Sequence, residues 1–580
     1  MPHAPSRNLR PALFALTALA LGVSLATAGL LVAPQPARAA SFTVTTTADV
    51  VDTAGGCAGA TLATLPGTGG LVSLREAVCA ANNAAGPDVI SLPAGTYVLT
   101  GASGEDYAAS GDLDVWDSGA AGDGLSIVGA GSDRTIIDGD ENDRLFDVYN
   151  RNAFAFALDD VTLSYGRVPS NDAGGALLTG FGSTTQLTRV VVEWSRAGNG
   201  GGIANIQGDL VLLDTVVHDN YADEAGGGVF STAGLFQMQR STVNNNVADT
   251  GGALWLSYDG PQAMTIEQST IHSNAGGGAA GIYVPDTSHG MLTITDTTIT
   301  DNRSATAGGA VVVAANSWTE LMLSSSTVTG NVGPTGGGVI GGLGLVTVQN
   351  SIVAQNTGGD LVGTISGSYN YVGVAGAGIV DGVANNRAGT VSAPLDPQLR
   401  EIGSYGGPTR TRVPLPGSPV VDTGSLCGAV DQRQVARSVC DVGAVELSAA
   451  PDTALGSAPA ASTSETSATL AFTGSGGSGT LSFECALDAA AYTPCTSPTT
   501  LGALASGAHT FRVRAVDALG ATDPSSATAG WTVIGAAAPE LADSGAAETG
   551  TLLAAGLVLL AAGGVLLGTR LRTRLRTRRS

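Results

Sequence analysis

Polar and apolar residues alternate in short bursts through the middle of the chain, and the bursts return in register. Thr215-Val216-Val217-His218-Asp219-Asn220 has the same order of residue types as Ser241-Thr242-Val243-Asn244-Asn245-Asn246, Ser269-Thr270-Ile271-His272-Ser273-Asn274 and Thr297-Thr298-Ile299-Thr300-Asp301-Asn302, and Ser326 to Asn331 and Ser351 to Asn356 continue it. The Asn residues stand 26, 28, 28, 29 and 25 positions apart, a period that suits one supersecondary unit per repeat. Most repeats then carry a Gly run ahead of a second apolar stretch, as in Gly226-Gly227-Gly228 before Val229-Phe230 and Gly336-Gly337-Gly338 before Val339-Ile340. Short Val-, Ile- and Thr-rich strands broken by Gly exclude helical solenoids. A leucine-rich repeat needs a Leu lattice, and a calcium-binding nonapeptide repeat needs an Asp soon after each Gly pair; both are missing.

What remains resembles the right-handed parallel β-helix, the coil shared with pectin lyases. Stacked coils rise about 4.8 Å each, so one residue per coil forms a ladder while Val and Ile fill the interior. Asn220, Asn246, Asn274, Asn302, Asn331 and Asn356 are expected in one structural column, each Asn taking a left-handed turn conformation and bonding its neighbours above and below. The expected fold class is all-β: this β-helix, a small immunoglobulin-like β-sandwich and a C-terminal transmembrane helix.

Upstream, Phe42 to Thr47, Leu71-Val72-Ser73-Leu74-Arg75-Glu76-Ala77, Leu92 to Thr100 and Gly111-Asp112-Leu113-Asp114 resemble the CSLREA domain of bacterial surface β-helix proteins, over residues 41–150. Ser73 and Glu76 fit a capping box, which predicts a short helix running to about Asn82 that closes the open end of the coil. Val72 stands where the family has its namesake Cys, and Cys79, two helical turns on, is placed to pair with Cys57 instead. The coil repeats are assigned to residues 151–390. Residues 391–450 resemble the choice-of-anchor Q module through Asp396-Pro397, Gly406-Gly407-Pro408-Thr409, Leu415-Pro416-Gly417-Ser418-Pro419, Asp431-Gln432-Arg433 and Asp441-Val442-Gly443-Ala444-Val445-Glu446; Gln434 stands where that pattern usually has Gly. Residues 451–534 look like a bacterial immunoglobulin-like domain, with half-buried alternation from Gly507 to Asp517.

The ends give the address. Arg7 and Arg10 precede an uncharged run from Pro11 to Val32, and Ala37-Arg38-Ala39 supplies small residues for a signal peptidase, so residues 1–40 read as an export signal. After a linker at 535–550, residues 551–569 form an apolar run long enough to span a bilayer, and the tail at 570–580 carries six Arg. Leu541-Ala542-Asp543-Ser544-Gly545 lies just ahead, and the whole arrangement resembles the cell-wall sorting signal of Gram-positive surface proteins, with Ser544 in place of the usual Thr. That resemblance implies a sortase and cell-wall peptidoglycan as partners, and an extracellular protein anchored to the wall or plasma membrane. A plain membrane anchor is the alternative. Six Cys in an exported chain favour disulfides, in the local couples Cys57–Cys79, Cys427–Cys440 and Cys485–Cys495.

Composition narrows the function. The 83 Gly against 11 Phe, 5 Trp and 11 Tyr suit a coil rather than a core of large residues. The formal net charge is −23 although nine of the 26 Arg sit in the two terminal segments, and such a surface repels nucleic acid. There is no Lys to serve as a lyase base, and Arg is sparse in the coil. Asp159-Asp160 and Asp138, Asp140 and Asp143 are acidic candidates that also read as turns. His218 and His272 share one repeat position but stand two coils apart, about 9 to 10 Å. No catalytic residue and no cofactor is assigned; Asp112, Asp114, Asp117 and Asp123 either gather around Ca²⁺ or form a solvated acidic loop. The expectation is a surface-displayed protein for adhesion, touching surface glycans or a host or neighbouring cell, with a polysaccharide lyase or hydrolase and a purely structural wall protein as alternatives.

Overall fold

The computed structural model describes residues 39–535 apart from 105–106, 117–122, 149–153, 448–449 and 519. The export signal, the sorting pentapeptide from Leu541 to Gly545, the apolar run, the Arg tail and Asp117 lie outside the described residues. No helix among the described residues is long and apolar enough to cross a membrane.

Within the repeats, from Gly124 to Val362, successive short strands do not pair with their sequence neighbours. Each pairs in parallel with the equivalent strand one repeat away, which builds two sheets of 12 strands and one of 10 along a common axis, with a fourth sheet of five short strands at one corner. This is a right-handed parallel β-helix. The alternation seen in the sequence decides what goes inside. In the sheet that starts at Gly95–Val98, Leu163, Val192, Val217, Val243, Ile271, Ile299, Val328 and Val353 stand in register on consecutive coils, all fully buried. In the sheet that starts at Ser41–Thr43, Leu158, Leu187, Leu212, Met238, Ile266, Ile294, Leu323 and Val348 form a facing column. Parallel stacking puts like on like, so each coil supplies its neighbour with an aliphatic contact of matching shape.

The corners are held by polar columns. Asn220, Asn246, Asn274, Asn302, Asn331 and Asn356 stack, each donating its backbone N–H and side-chain Nδ2 to the Oδ1 of the next at 2.9 to 3.1 Å. Ser195 N–H donates into the column at one end, and Asp360 Oδ1 receives it at the other. The left-handed residue is not the Asn but the one before it: Asp219, Asn245, Ser273, Asp301 and Gln355 have φ of 55° to 61°. That turn swings the chain so that the following amide points into the wall and satisfies carbonyls of two coils. A second column, Thr215, Ser241, Ser269, Thr297, Ser326 and Ser351, closes the other corner of the same sheet, each hydroxyl accepting the backbone N–H from the coil before.

The helix Leu74–Asn82 covers the first coil. Ser73 Oγ accepts from Glu76 N–H at 3.0 Å, and Glu76 Oε2 accepts from Ser73 N–H at 3.2 Å, so the capping box is complete. Cys57 and Cys79 are bonded, as are Cys427 with Cys440 and Cys485 with Cys495.

Beyond the coil, residues 396–447 fold back along the outer face of the sheet that carries the Asn column. Gln432 Nε2 donates to Ser269 O at 3.0 Å and to Thr270 Oγ1 at 2.9 Å, Thr298 Oγ1 donates to Gln432 Oε1, and Ala444 N–H donates to Thr327 Oγ1 at 3.0 Å. Gln434 has φ of 66°, in the left-handed region that Gly adopts most readily. Residues 452–533 form a separate β-sandwich of a three-stranded and a five-stranded sheet around Leu470, Phe472, Phe511, Val513 and Trp531. Its Cys485–Cys495 bridge joins two adjacent strands of one sheet.

Candidate functional site

The cap helix organises an acidic loop. Arg75, Cys79 and Asn82 share one helix face. Arg75 Nη1 donates to Ala108 O and Asp112 O at 3.1 and 2.8 Å, Nη2 donates to Gly111 O at 2.7 Å, and Asn82 Nδ2 donates to Asp114 O at 2.8 Å. Asp49 holds the same guanidinium through Nε and Nη2 at 2.6 and 2.9 Å, in a pair largely shielded from water. The helix therefore clamps the backbone of residues 108–114 and fixes where its carboxylates stand.

Asp114 and Asp147 are register partners on adjacent coils. With Asp112 they bring three carboxylate oxygens within 4.8 Å of one another. Arg144 lies among them: Nη1 is 2.7 Å from Asp147 and 3.8 Å from Asp112, and Nη2 is 3.0 Å from Asp172. A Ca²⁺ ion would have to displace this guanidinium from oxygens it already neutralises. Burial, reinforced by Asp114 and Asp143 and opposed by Arg144, pushes Asp112 up to about 8. It is therefore a neutral acid at pH 7. Asp123 lies apart from the cluster, its Oδ1 accepting from Gly86 N–H at 2.6 Å.

Asp143 and Asp172 continue from this cluster into an open groove of about 790 Å³ that Glu141, Arg167, Arg196 and Asp223 also line. A second depression of about 370 Å³ shares Glu141, Arg167 and Arg196 and adds Trp194, Asp219 and Tyr221. The coil explains the arrangement: Arg167, Arg196 and Tyr221 are partners on three consecutive coils. Arg167 is paired with Glu141 at 2.9 Å and Arg196 with Asp223 at 2.6 Å, and the Arg196 guanidinium lies over the Tyr221 ring at 4.5 Å. Trp194 is half exposed on a left-handed turn, its φ 52°.

Of the other acidic candidates, Asp160 is engaged by Arg189 in a two-point pair at 2.7 Å, and Asp138 Oδ1 accepts from Asp140 N–H within a turn. His218 sits between Glu193, 3.2 Å from Nε2, and Asp219, 2.6 Å from Nδ1. Asn244 separates it from His272 in the register. His272 is buried and held down to about 4, by burial first and then by Arg410. Sequence reasoning missed the groove's Arg167, Arg196, Trp194 and Tyr221. Their signal was present: Tyr165-Gly166-Arg167 and Trp194-Ser195-Arg196 occupy the repeat frame two coils and one coil, respectively, before Asp219-Asn220-Tyr221.

A family model described as right handed beta helix region matches residues 174–358. No curated protein matches the chain. Among solved structures, the crystal structure of pectate lyase Pel9A is similar with a TM-score of 0.42 and 15% identity, over 70% of this chain and 96% of that one.

Proposed function

We propose that this protein is displayed on the surface of a Gram-positive bacterium and contacts glycans through the groove between Glu141 and Asp223 without cleaving them. The observation that supports the reading is the groove itself, an open, polar cleft running across consecutive coils with Trp194 and Tyr221 beside charged pairs, the mixture that sugar rings and hydroxyls require. In this proposal residues 1–40 direct export, 41–150 cap the coil as a CSLREA-like unit, 391–450 form the choice-of-anchor Q-like module, and 451–534 serve as an immunoglobulin-like spacer. The sorting motif from Leu541 to Gly545 hands the chain to a sortase and on to peptidoglycan. The test is a glycan array probed with the full chain and with its Trp194→Ala and Tyr221→Ala variants. Wild-type binding that falls at least about tenfold in either variant is expected; no bound glycan would leave a purely structural wall protein.

Cleavage is the second reading. It is favoured by Asp112, a buried neutral acid linked through Arg144 to Asp172 on the groove wall. Release of new reducing ends or unsaturated products from any bound polysaccharide, lost in Asp112→Asn, would establish it.

A further inference from the structure

The groove's charge is the opposite of what an acidic polysaccharide needs. Among the described residues, Glu141, Asp143, Asp172, Asp219 and Asp223 line the two depressions together with Arg167 and Arg196, while Arg144 holds Asp172 at 3.0 Å and His218 holds Asp219 at 2.6 Å, which leaves five carboxylates against three guanidiniums. The Arg167 and Arg196 guanidiniums are already engaged, by Glu141 and Asp223 respectively. A ligand carboxylate would therefore meet a wall that carries more carboxylates than guanidiniums. The cleft sits in a strongly acidic chain, and a concave wall concentrates that field over roughly a Debye length of about 8 Å. Trp194 adds an exposed aromatic face, which attracts ammonium groups.

The groove is also long. Glu141, Arg167, Arg196 and Asp223 lie on successive coils, so it runs roughly 14 Å along the axis at about 4.8 Å per coil. One coil is close to the length of one pyranose unit, so an extended chain lying along the axis presents about one sugar to each coil.

We propose that the ligand of this groove is a cationic glycan, a run of amino sugars whose amines are free, and not a uronate or a fully N-acetylated chain. The inference rests on the glycan reading above and adds the class of sugar. Each ammonium meets a carboxylate of the wall, while sugar faces lie on Trp194 and Tyr221.

The experiment titrates the full chain with four probes: a glucosamine oligomer, the matching N-acetylglucosamine oligomer, an oligogalacturonate and an oligolysine. The glucosamine oligomer is expected to bind best and to weaken as salt is raised. In the double variant Glu141→Gln/Asp223→Asn, which frees both guanidiniums and removes two negative charges, its affinity should fall about tenfold and that of oligogalacturonate should rise. Melting curves confirm that the variant is folded; if it is not, Trp194→Ala, on an exposed position, should lower the affinity instead. Equal binding of the N-acetylated oligomer, or tighter binding of the galacturonate, would overturn the cationic assignment while sparing glycan contact. Tighter binding of oligolysine would move the site to a basic peptide, and binding of none of the sugars would remove both proposals together.

Discussion

Replacing Asn274 tests what holds the coil's corner together. Its Nδ2 donates to Val243 O, His272 O and Asn302 Oδ1 at 2.9 to 3.0 Å, and its Oδ1 accepts from Asn246 N–H and Nδ2 at 2.9 and 3.1 Å. All five bonds are buried from water by the coils on either side. Asn274→Leu keeps the volume but removes the five bonds and leaves Asn246 N–H with no partner of its own. At about 1 kcal/mol net per bond, with Asn302 Oδ1 still served by the Asn274 N–H, the loss is about 3 to 5 kcal/mol. Asn274→Asp is the sharper probe, because it has the same shape. A carboxylate there turns an acceptor toward Val243 O and His272 O, so it should cost at least as much as Leu. Urea unfolding followed by circular dichroism gives the shift in midpoint, and hydrogen exchange at the amides of Asn246 and Asn274 shows whether the loss is local. An Asn274→Asp variant that unfolds with the wild type would refute the reasoning, since only packing would then matter.

Other perturbations follow from the same geometry. Arg75→Ala should destabilise the cap by about 3 to 5 kcal/mol because Asp49 and three carbonyls lose their donor, and Arg75→Lys should not rescue it, since a single ammonium cannot span Asp49 and the 108–112 backbone; faster proteolysis within 100–115 would report the loss. Asp112 keeps its proton in the folded state to about pH 8 but ionises near its ordinary 3.8 when unfolded, so stability should fall as pH rises through that window and level off above it. Asp112→Asn removes this contribution, so its stability should gain on the wild type with rising pH by an amount on the order of a few kcal/mol, read as a growing difference in melting temperature; a constant difference across the window would contradict it. Deleting residues 546–580 should shift the protein from the wall fraction to the medium, and recovery of wild-type protein with its Arg tail in detergent would favour a plain membrane anchor.

The coil was legible because its signal repeats. A buried column such as Val217, Val243, Ile271 and Ile299 writes the same residue class at the same phase in every repeat, and periodicity detects that directly. The Ser and Thr column was visible as a pattern too, but its role depends on the corner geometry that aims each hydroxyl at the preceding coil's N–H. The groove was harder. Arg167, Arg196 and Tyr221 share a column yet differ in type, and Arg167 and Arg196 acquire their meaning from Glu141 and Asp223, each one coil away in space. The acidic loop illustrates the same limit: Asp112 and Asp114 are close in sequence, but Asp147 and Arg144 join them only because coils stack.

The fold-back of residues 396–447 has a temporal meaning for a chain that emerges from its amino end. Hydrogen bonds along the Asn column link residues only 25 to 29 positions apart, so each coil can settle on the one before it as soon as it is available. Gln432, in contrast, reaches back 163 positions to Ser269, and Thr270 Oγ1 donates to Arg410 O across 140. Closing those contacts requires coils that already exist, so they add little until the end and then bind several coils at once. The segment acts as a latch whose closure records that assembly is finished, and a chain truncated ahead of Asp396 should accumulate its coils without ever locking them.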